Sequence, residues 1–424
     1  MPKSPQPLRL FLIFLTLSAL YFFSMFYRFS NAVISPNLIE DLGLNAETLG
    51  ILGGAFFYSF TLLQIPMGPM LDRVGPRIVV SASAFIGALG AFLFASGNSF
   101  FTVLLGRILI GVGMSSVLMG SMKVFVLYFP PERFATLVGI LLSIGTFGSI
   151  FAASPLAYFT SAIGWRTMFM LAGAGTILLT LLVFRALDVE KRVEGEIVSP
   201  SGSEAGIFQS IRLILKSLVF WQLGAIAFFR YGTISSLQGL WLAHYLISAK
   251  GYSPVQTGNF IVLLAMGAIV GGPVAGQLSD RVLHSRKGLA LVGLSLYAAC
   301  LFPLTGVIEI QNPVSYGILF FFLGFFNSFG MLIFSHTKEM FPTAILGTVI
   351  TFVNFFTMAG GAILMPVLGK VIEAFPRTGN SYPAEAYHPA FLICFLGMAV
   401  SLIFYAFSKS ESPLHSEGKV IRPP

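Results

Sequence analysis

Charge and cysteine are both scarce in this chain. Of its 424 residues only 10% are Asp, Glu, Lys or Arg, whereas 56% are hydrophobic; a soluble domain carries about a quarter charged residues. That deficit excludes a water-soluble globular domain and points to an all-α integral membrane protein. The two cysteines, Cys300 and Cys394, both lie in apolar runs, which excludes a disulfide framework and a cysteine-based metal site. No nucleophile–base pair, metal-ligand cluster or glycine-rich phosphate loop occurs at usable spacing, so neither enzyme chemistry nor a cofactor is expected. The absence with the greatest consequence concerns acids: all 17 Asp and Glu residues fall in loops, termini or helix ends, and none at membrane depth.

What the chain has in quantity is apolar runs of spanning length, about 20 residues each. Twelve are expected, over 9–38, 46–71, 76–97, 100–129, 132–162, 166–186, 219–248, 255–279, 287–308, 314–341, 344–373 and 386–408. The first has a basic start (Lys3, Arg9) but runs on past Arg28 without a small-residue cleavage site, so it reads as a retained helix. One long polar stretch rich in Glu, Ser and Gly divides the chain into a six-span bundle at 1–187, a linker at 188–218, a second bundle at 219–408 and a tail at 409–424. A short amphipathic helix at 207–216 or a plain start to span 7 fits the end of the linker equally well.

Lys and Arg set an orientation. Seventeen lie in the termini and the loops after even-numbered spans, four (Arg166, Lys250, Lys370, Arg377) after odd-numbered spans, and four (Arg28, Arg107, Lys123, Arg230) within spans. The positive-inside rule places both termini in the cytoplasm. The net charge of +8 is therefore a topology signal, and the lipid bilayer rather than nucleic acid is the expected partner. With no long glycosylated loop or targeting extension in the sequence, a bacterial inner membrane is the expected location.

The halves repeat one another weakly. GPMLDRVGPR (Gly68–Arg77) follows span 2 and GQLSDRVLHSRK (Gly276–Lys287) follows span 8; Pro155 of span 5 matches Pro366 of span 11; spans 4 and 10 end in YFPPE and EMFPT. Repeated halves are a recurring transporter design. Over nearly its whole length the chain resembles the major facilitator superfamily. Gly68, Asp72, Arg73, Gly75 and Arg77 match that family's loop 2–3 signature, and RILIGVG, with Arg107, Gly111 and Gly113, matches its span 4 signature. The second loop copy keeps Asp280 and Arg281 but has Leu283-His284 in place of Gly-Pro. The resemblance implies twelve transmembrane helices in two six-helix pseudo-symmetric halves, working as a monomer by alternating access. Two readings stand for Asp72, Arg73 and Arg77: a charge latch that closes one side and must break in the other state, or topology alone. Arg107 reads as a structural partner of backbone carbonyls in preference to a proton carrier or a substrate contact, and Gly111, Gly113, Gly139, Gly145 and Gly148 read as packing residues.

Two arginines occupy matching places, Arg28 in span 1 and Arg230 in span 7. A charge at mid-bilayer costs about 2.5 kcal/mol or much more, so it faces a cavity or a partner. An arginine cannot escape by deprotonation, and its guanidinium offers bidentate bonds to phosphate or carboxylate. FYRFSNAVISP and FRYG resemble the span 1 and span 7 stretches of the organophosphate:phosphate exchangers, which implies that Arg28 and Arg230 hold substrate. This chain departs from those exchangers in having no histidine in span 5 and Gln64 where they tend to have lysine, so a carboxylate substrate fits as well as a phosphate one. A structural role for both arginines, bonding carbonyls of a broken helix or lipid phosphate, is the alternative.

Lys123 and His336 stand near corresponding places in spans 4 and 10 and read either as a second ring of substrate contacts, with His336 coupling transport to protons, or as a snorkelling lysine and a satisfied core histidine. Tyr27, Asn31, Gln64, Tyr231 and Gln238 are the further substrate candidates, with Tyr27 and Tyr231 favoured because they flank the arginines; Tyr58, Trp241, Asn327 and Asn354 stand behind them, and His244, fourteen residues after Arg230, reads as a gate or rim residue. The expected function is a secondary transporter of a small organic anion, working by exchange with a counter-anion or with protons. An efflux carrier and a non-transporting receptor with the same fold are the competing readings.

Overall fold

The computed structural model describes residues 7–187, 212, 214–279, 285–310, 312–377, 379 and 381–408. The expected linker and tail, and with them Asp280 and Arg281, lie almost wholly or wholly outside these residues. Ten described helices are long and apolar enough to cross a membrane, and the bent pair in span 5 makes an eleventh. The remaining expected span, the seventh, is a helix at Leu218–Ser236 that runs on to Ala249 and carries Gln222, Arg230, Gln238 and His244 among its apolar residues. The described residues thus form an all-α membrane protein, and its segments follow the expected spans to within a few residues.

Several spans are not single α-helices, and the sequence explains where they give way. Span 1 comprises Pro7–Phe29 and Asn31–Leu42, interrupted at Ser30. Beyond the break Pro36 cannot donate to the Ala32 carbonyl, and Ser35 Oγ donates to it instead at 3.0 Å. Span 4 divides into Phe100–Met114 and Val117–Tyr128 at a serine pair, Ser115-Ser116. Span 5 bends by 46° between Phe151 and Ser154, where Pro155 withholds its N–H from the turn before it. Span 10 tightens into 3₁₀ geometry over Ser328–Met331, with Ser328 Oγ bonded back to Phe325 O at 2.6 Å. In span 7 the turns at Leu237–Trp241 and Tyr245–Ala249 widen to π-helix, a form that is rare and concentrated at functional sites.

The chain forms two compact units. The first gathers the described residues of Met1–Glu196, Ser235–Ala265 and Ala362–Tyr387; the second gathers those of Ile197–Ile234, Met266–Gly361 and His388–Pro424. Spans 3 and 4 cross in the first unit where Gly113 rests on the backbone of Gly87, and Gly106 on that of Phe94 and Gly90. Gly145 and Gly148 likewise lie against Tyr21 and the Phe22 carbonyl of span 1, whereas Gly139 faces open space. In the second unit Gly232 of span 7 meets Gly360 of span 11, and Gly267 and Gly271 of span 8 meet the Phe321 and Phe325 carbonyls of span 10. Small residues let helices approach in lipid, where dispersion replaces the hydrophobic effect.

Each unit caps its helix ends with the same device. Arg77, just inside span 3, donates from Nε to the Phe184 carbonyl near the end of span 6 at 2.8 Å. Lys287, just inside span 9, donates to the Ala406 carbonyl of span 12 at 2.8 Å and also to that of Ser408. A cation at a helix C-terminus satisfies otherwise unbonded carbonyls and opposes the negative end of the dipole. Ahead of Arg77 the chain turns at Gly75 with φ of 94°, a conformation that favours glycine.

Gly113→Ala places a methyl group against the backbone of Gly87 and the Ser83 carbonyl. The expected cost is about 1–3 kcal/mol, read as a lowered Tm of the purified protein in detergent.

Candidate functional site

The first unit holds two buried guanidiniums at the break in span 1. Arg107 donates from Nη1 to the Tyr27 carbonyl at 2.6 Å and from Nη2 to the Arg28 carbonyl at 3.3 Å. Ser30 Oγ also donates to Tyr27 O, at 3.1 Å. An interrupted helix frees such carbonyls, and a buried donor must meet them. Arg107 is fully buried, and these carbonyls are its hydrogen-bond acceptors. Beside it Arg28, 6% exposed, lies over three rings of span 2, with centroids at 4.7 Å for Phe60, 5.6 Å for Phe56 and 6.0 Å for Phe57. The Phe56 ring also takes the Arg107 guanidinium at 5.2 Å. Cation–π contacts of this kind contribute about 0.5–2 kcal/mol each. One turn beyond Arg28, Asn31 is fully buried, and neither its amide nitrogen nor its amide oxygen has a hydrogen-bond partner among the described residues.

The second unit holds Arg230, 7% exposed. Its Nη1 donates to the Asn327 carbonyl at 3.2 Å, immediately before the 3₁₀ turn of span 10. Its aliphatic stem lies where a side chain at Gly330 would stand, so the turn accepts the arginine only because residue 330 has no Cβ. The Tyr231 ring centroid is 5.9 Å from the guanidinium. Among the described residues Arg230 has no carboxylate partner, and its Nε makes no hydrogen bond. The two units therefore use a related arrangement: a buried arginine bonded to a carbonyl at a helix break, from span 4 to span 1 in one and from span 7 to span 10 in the other.

The other expected site residues are distributed more widely. Tyr27 turns away from its neighbour Arg28: its hydroxyl shares a 3.1 Å bond with Thr176 of span 6, and its ring lies among Phe23, Phe26 and Phe169. Adjacent helical residues point about 100° apart, so flanking an arginine in sequence does not put a side chain beside it. Lys123 pairs with Asp72 at 2.8 Å, which joins the span 4 lysine to the loop 2–3 signature. A similar pair, Arg286 with Glu339 at 3.2 Å, joins spans 9 and 10. His336 is buried with Nδ1 2.9 Å from the Tyr405 hydroxyl. Gln64 is half-buried, Gln238 is buried in the π-helical turn, and Tyr58 is exposed. Gly111 lies against Ser59 and the Phe56 carbonyl, and Gly68 has open space around it; Arg73 is exposed. Cys300 lines a groove of about 800 Å³ with Pro303, Ile318 and Phe322, remote in sequence from both arginines.

At the other end of the first unit, the segments following the breaks close on one another. Glu373 at the end of span 11 accepts the Ala46 N–H at the start of span 2 at 2.8 Å and the Tyr382 hydroxyl at 2.5 Å. Arg377 donates to the Leu44 carbonyl at 3.3 Å, and Trp241 Nε1 to Met365 O at 3.0 Å. His244 Nδ1 lies 2.5 Å from the Tyr387 hydroxyl. Burial, then the bond to Glu373, pushes the Tyr382 phenol above its ordinary value, so it remains a donor at neutral pH. The carboxylate sits at a helix N-terminus, where the dipole favours it.

Sequence reasoning missed Phe56, Phe57 and Phe60 as partners of Arg28, and Gly330 as the seat of Arg230. The only advance signal was position: an i, i+4 pair of rings on a neighbouring span, and one small residue among many.

A family model described as Major Facilitator Superfamily matches residues 17–366. Among curated relatives, the probable sulfoacetate transporter SauU of Cupriavidus necator is 26% identical over 328 residues, covering 73% of this chain and 76% of that protein. The D-galactonate transporter of Escherichia coli O6:H1 is 24% identical over 399 residues, covering 88% and 91%. A bacterial homologue of the human lysosomal transporter Spinster, solved in an inward-facing and unoccupied conformation, superposes with a TM-score of 0.76 at 18% identity, covering 94% of this chain and 96% of that one; that likeness concerns the fold alone.

Arg107→Ala removes the guanidinium donor from the Arg28 carbonyl and leaves the Tyr27 carbonyl with Ser30 Oγ alone of its two side-chain donors. The expected loss is about 1–3 kcal/mol, measured as a lower Tm; an unchanged Tm contradicts the bonded arrangement.

Proposed function

This chain belongs to the major facilitator superfamily, and from that premise we propose that it carries a small organic anion, a carboxylate or organophosphate, by alternating access, with Arg28 and Arg230 as its anion-binding groups. The observation that carries the reading is Arg230: a guanidinium almost wholly buried in a span, bonded to one backbone carbonyl, with no carboxylate partner among the described residues. A permanent charge so placed is neutralised most economically by a ligand of opposite charge. Arg28, buried at the matching place in span 1, is the second arginine. The named cargoes of the relatives, sulfoacetate and D-galactonate, are anions, which supports the same class.

Fixed cations in the spans favour exchange, since the return of an empty site leaves Arg230 without a counter-ion; His336 is the group through which protons would couple. In this proposal the chain is a monomer in a bacterial inner membrane with both termini cytoplasmic, residues 1–187 and 219–408 are the two six-helix bundles, and 188–218 is the linker joining them. Lipid is the surrounding partner, and a counter-anion or proton is the co-substrate. The relatives are transporters by name, and the function stated for this chain is transport rather than catalysis.

Counterflow in proteoliposomes tests the reading with phosphate, sugar phosphates and mono- and dicarboxylates. One anion class should exchange, and Arg28→Ala and Arg230→Ala should each lower its rate by about 30-fold or more, the usual cost of removing one partner of a buried charge pair. Movement of neutral or cationic solutes alone, or full activity in both variants, contradicts it.

A further inference from the structure

Building on the anion-carrier reading, we propose that the substrate carries hydroxyl groups along its chain and that Asn31 and Gln238 are the residues that recognise them. Asn31 stands one turn beyond Arg28, past the break in span 1, at 0% exposure. Both of its side-chain polar atoms are buried without a hydrogen-bond partner among the described residues. Interiors almost never leave a primary amide in that state, because each unmet donor or acceptor keeps its full desolvation cost.

The segment against which this turn packs is unusual in the same way. A Cβ at Gly239 of span 7 would stand 3.1 Å from Met365 and 3.8 Å from Phe29, the residue after Arg28, and Gln238 precedes Gly239 in the π-helical turn. Gln238 is 8% exposed, and Ser236, two residues earlier, has a buried hydroxyl with no partner among the described residues. The first unit thus holds neutral, unsatisfied donors and acceptors at Asn31, one turn from Arg28, and at Ser236, two residues before Gln238.

The chemistry of the two kinds of group separates the parts of a ligand. A carboxylate or phosphate oxygen only accepts, and the arginine, which only donates, meets it fully. An amide both donates and accepts, and its oxygen gains nothing from a carboxylate. A hydroxyl also donates and accepts, so a hydroxylated carbon chain satisfies the amides that the charged end leaves unmet. The D-galactonate of one relative has this chemistry, whereas the sulfoacetate of another has a second charged group and no hydroxyl, which makes the distinction testable.

The experiment is counterflow in proteoliposomes with pairs of anions matched in length and charge: tartrate against succinate, glucarate against adipate, and galactonate against hexanoate. The hydroxylated member of at least one pair should exchange at least about tenfold faster, because a site built to bond a hydroxyl rejects the analogue that lacks it. Asn31→Leu and, separately, Gln238→Met, which preserve shape but remove hydrogen bonding, should bring that ratio toward one. Equal exchange of both members in every pair overturns this proposal while leaving the anion-carrier reading intact. A ratio unchanged in both variants also overturns it, since water alone would then satisfy the amides. Failure of every anion, including phosphate, sugar phosphates and sulfoacetate, overturns both readings.

Discussion

A buried guanidinium has to find acceptors, and an intact α-helix has none to spare. Every carbonyl in the middle of a continuous span is already bonded to the N–H four residues on. Much of this architecture follows from that constraint. Span 1 opens at Ser30, and Arg107 takes the carbonyls of Tyr27 and Arg28; span 10 tightens after Asn327, and Arg230 takes its carbonyl. The breaks are therefore where charge and backbone satisfy one another in a medium that supplies no water. They also hold the arginines proposed to bind substrate, so the elements that interrupt the helices are the elements assigned to function.

The glycines serve the same constraint from the packing side. Gly330 gives way to the stem of Arg230, and Gly111 lets span 4 lie against Ser59 and the Phe56 carbonyl of span 2, which supports the ring that contacts both Arg28 and Arg107. Away from the breaks, the halves repeat simpler charge contacts. Arg77 and Lys287 cap spans 6 and 12, while Lys123–Asp72 and Arg286–Glu339 join neighbouring spans with their signs interchanged. Every side chain in these pairs is more than a third exposed, so each pair contributes about 0–1 kcal/mol and is suited to being broken and remade during a transport cycle.

The spans were legible in the sequence because membrane helices are written in composition: a run of about 20 apolar residues has few alternative meanings. The interruptions were not legible in the same way: Pro155 and the Ser115-Ser116 pair stand at breaks that runs of apolar residues do not reveal. The site was legible only in its charges. Arg28, Arg107 and Arg230 stand out because a cation in an apolar run is costly wherever it points. The neutral residues gave no such signal: Tyr27 adjoins Arg28 in the chain yet bonds Thr176 of span 6. Lys123 was considered as a substrate contact or a snorkelling lysine, and its bond to Asp72 depends on a crossing of spans 2 and 4 that no local pattern encodes. Phe56, Phe57 and Phe60 were lost among 44 phenylalanines, since aromatic residues that surround a charge and those that face lipid look alike in one dimension.

Arg28 and Arg230 are proposed as groups that bind a small anion, and equilibrium binding tests that proposal most directly. Thermal unfolding of the purified protein would be followed with increasing concentrations of an organic anion and, in parallel, of a neutral sugar of similar size. The account predicts an upward shift of Tm with the anion alone, corresponding to about 2.7 kcal/mol once the anion reaches about 100 times its Kd, and no shift in Arg28→Ala or Arg230→Ala. A shift of equal size in both variants, or one produced equally by the neutral sugar, would contradict it.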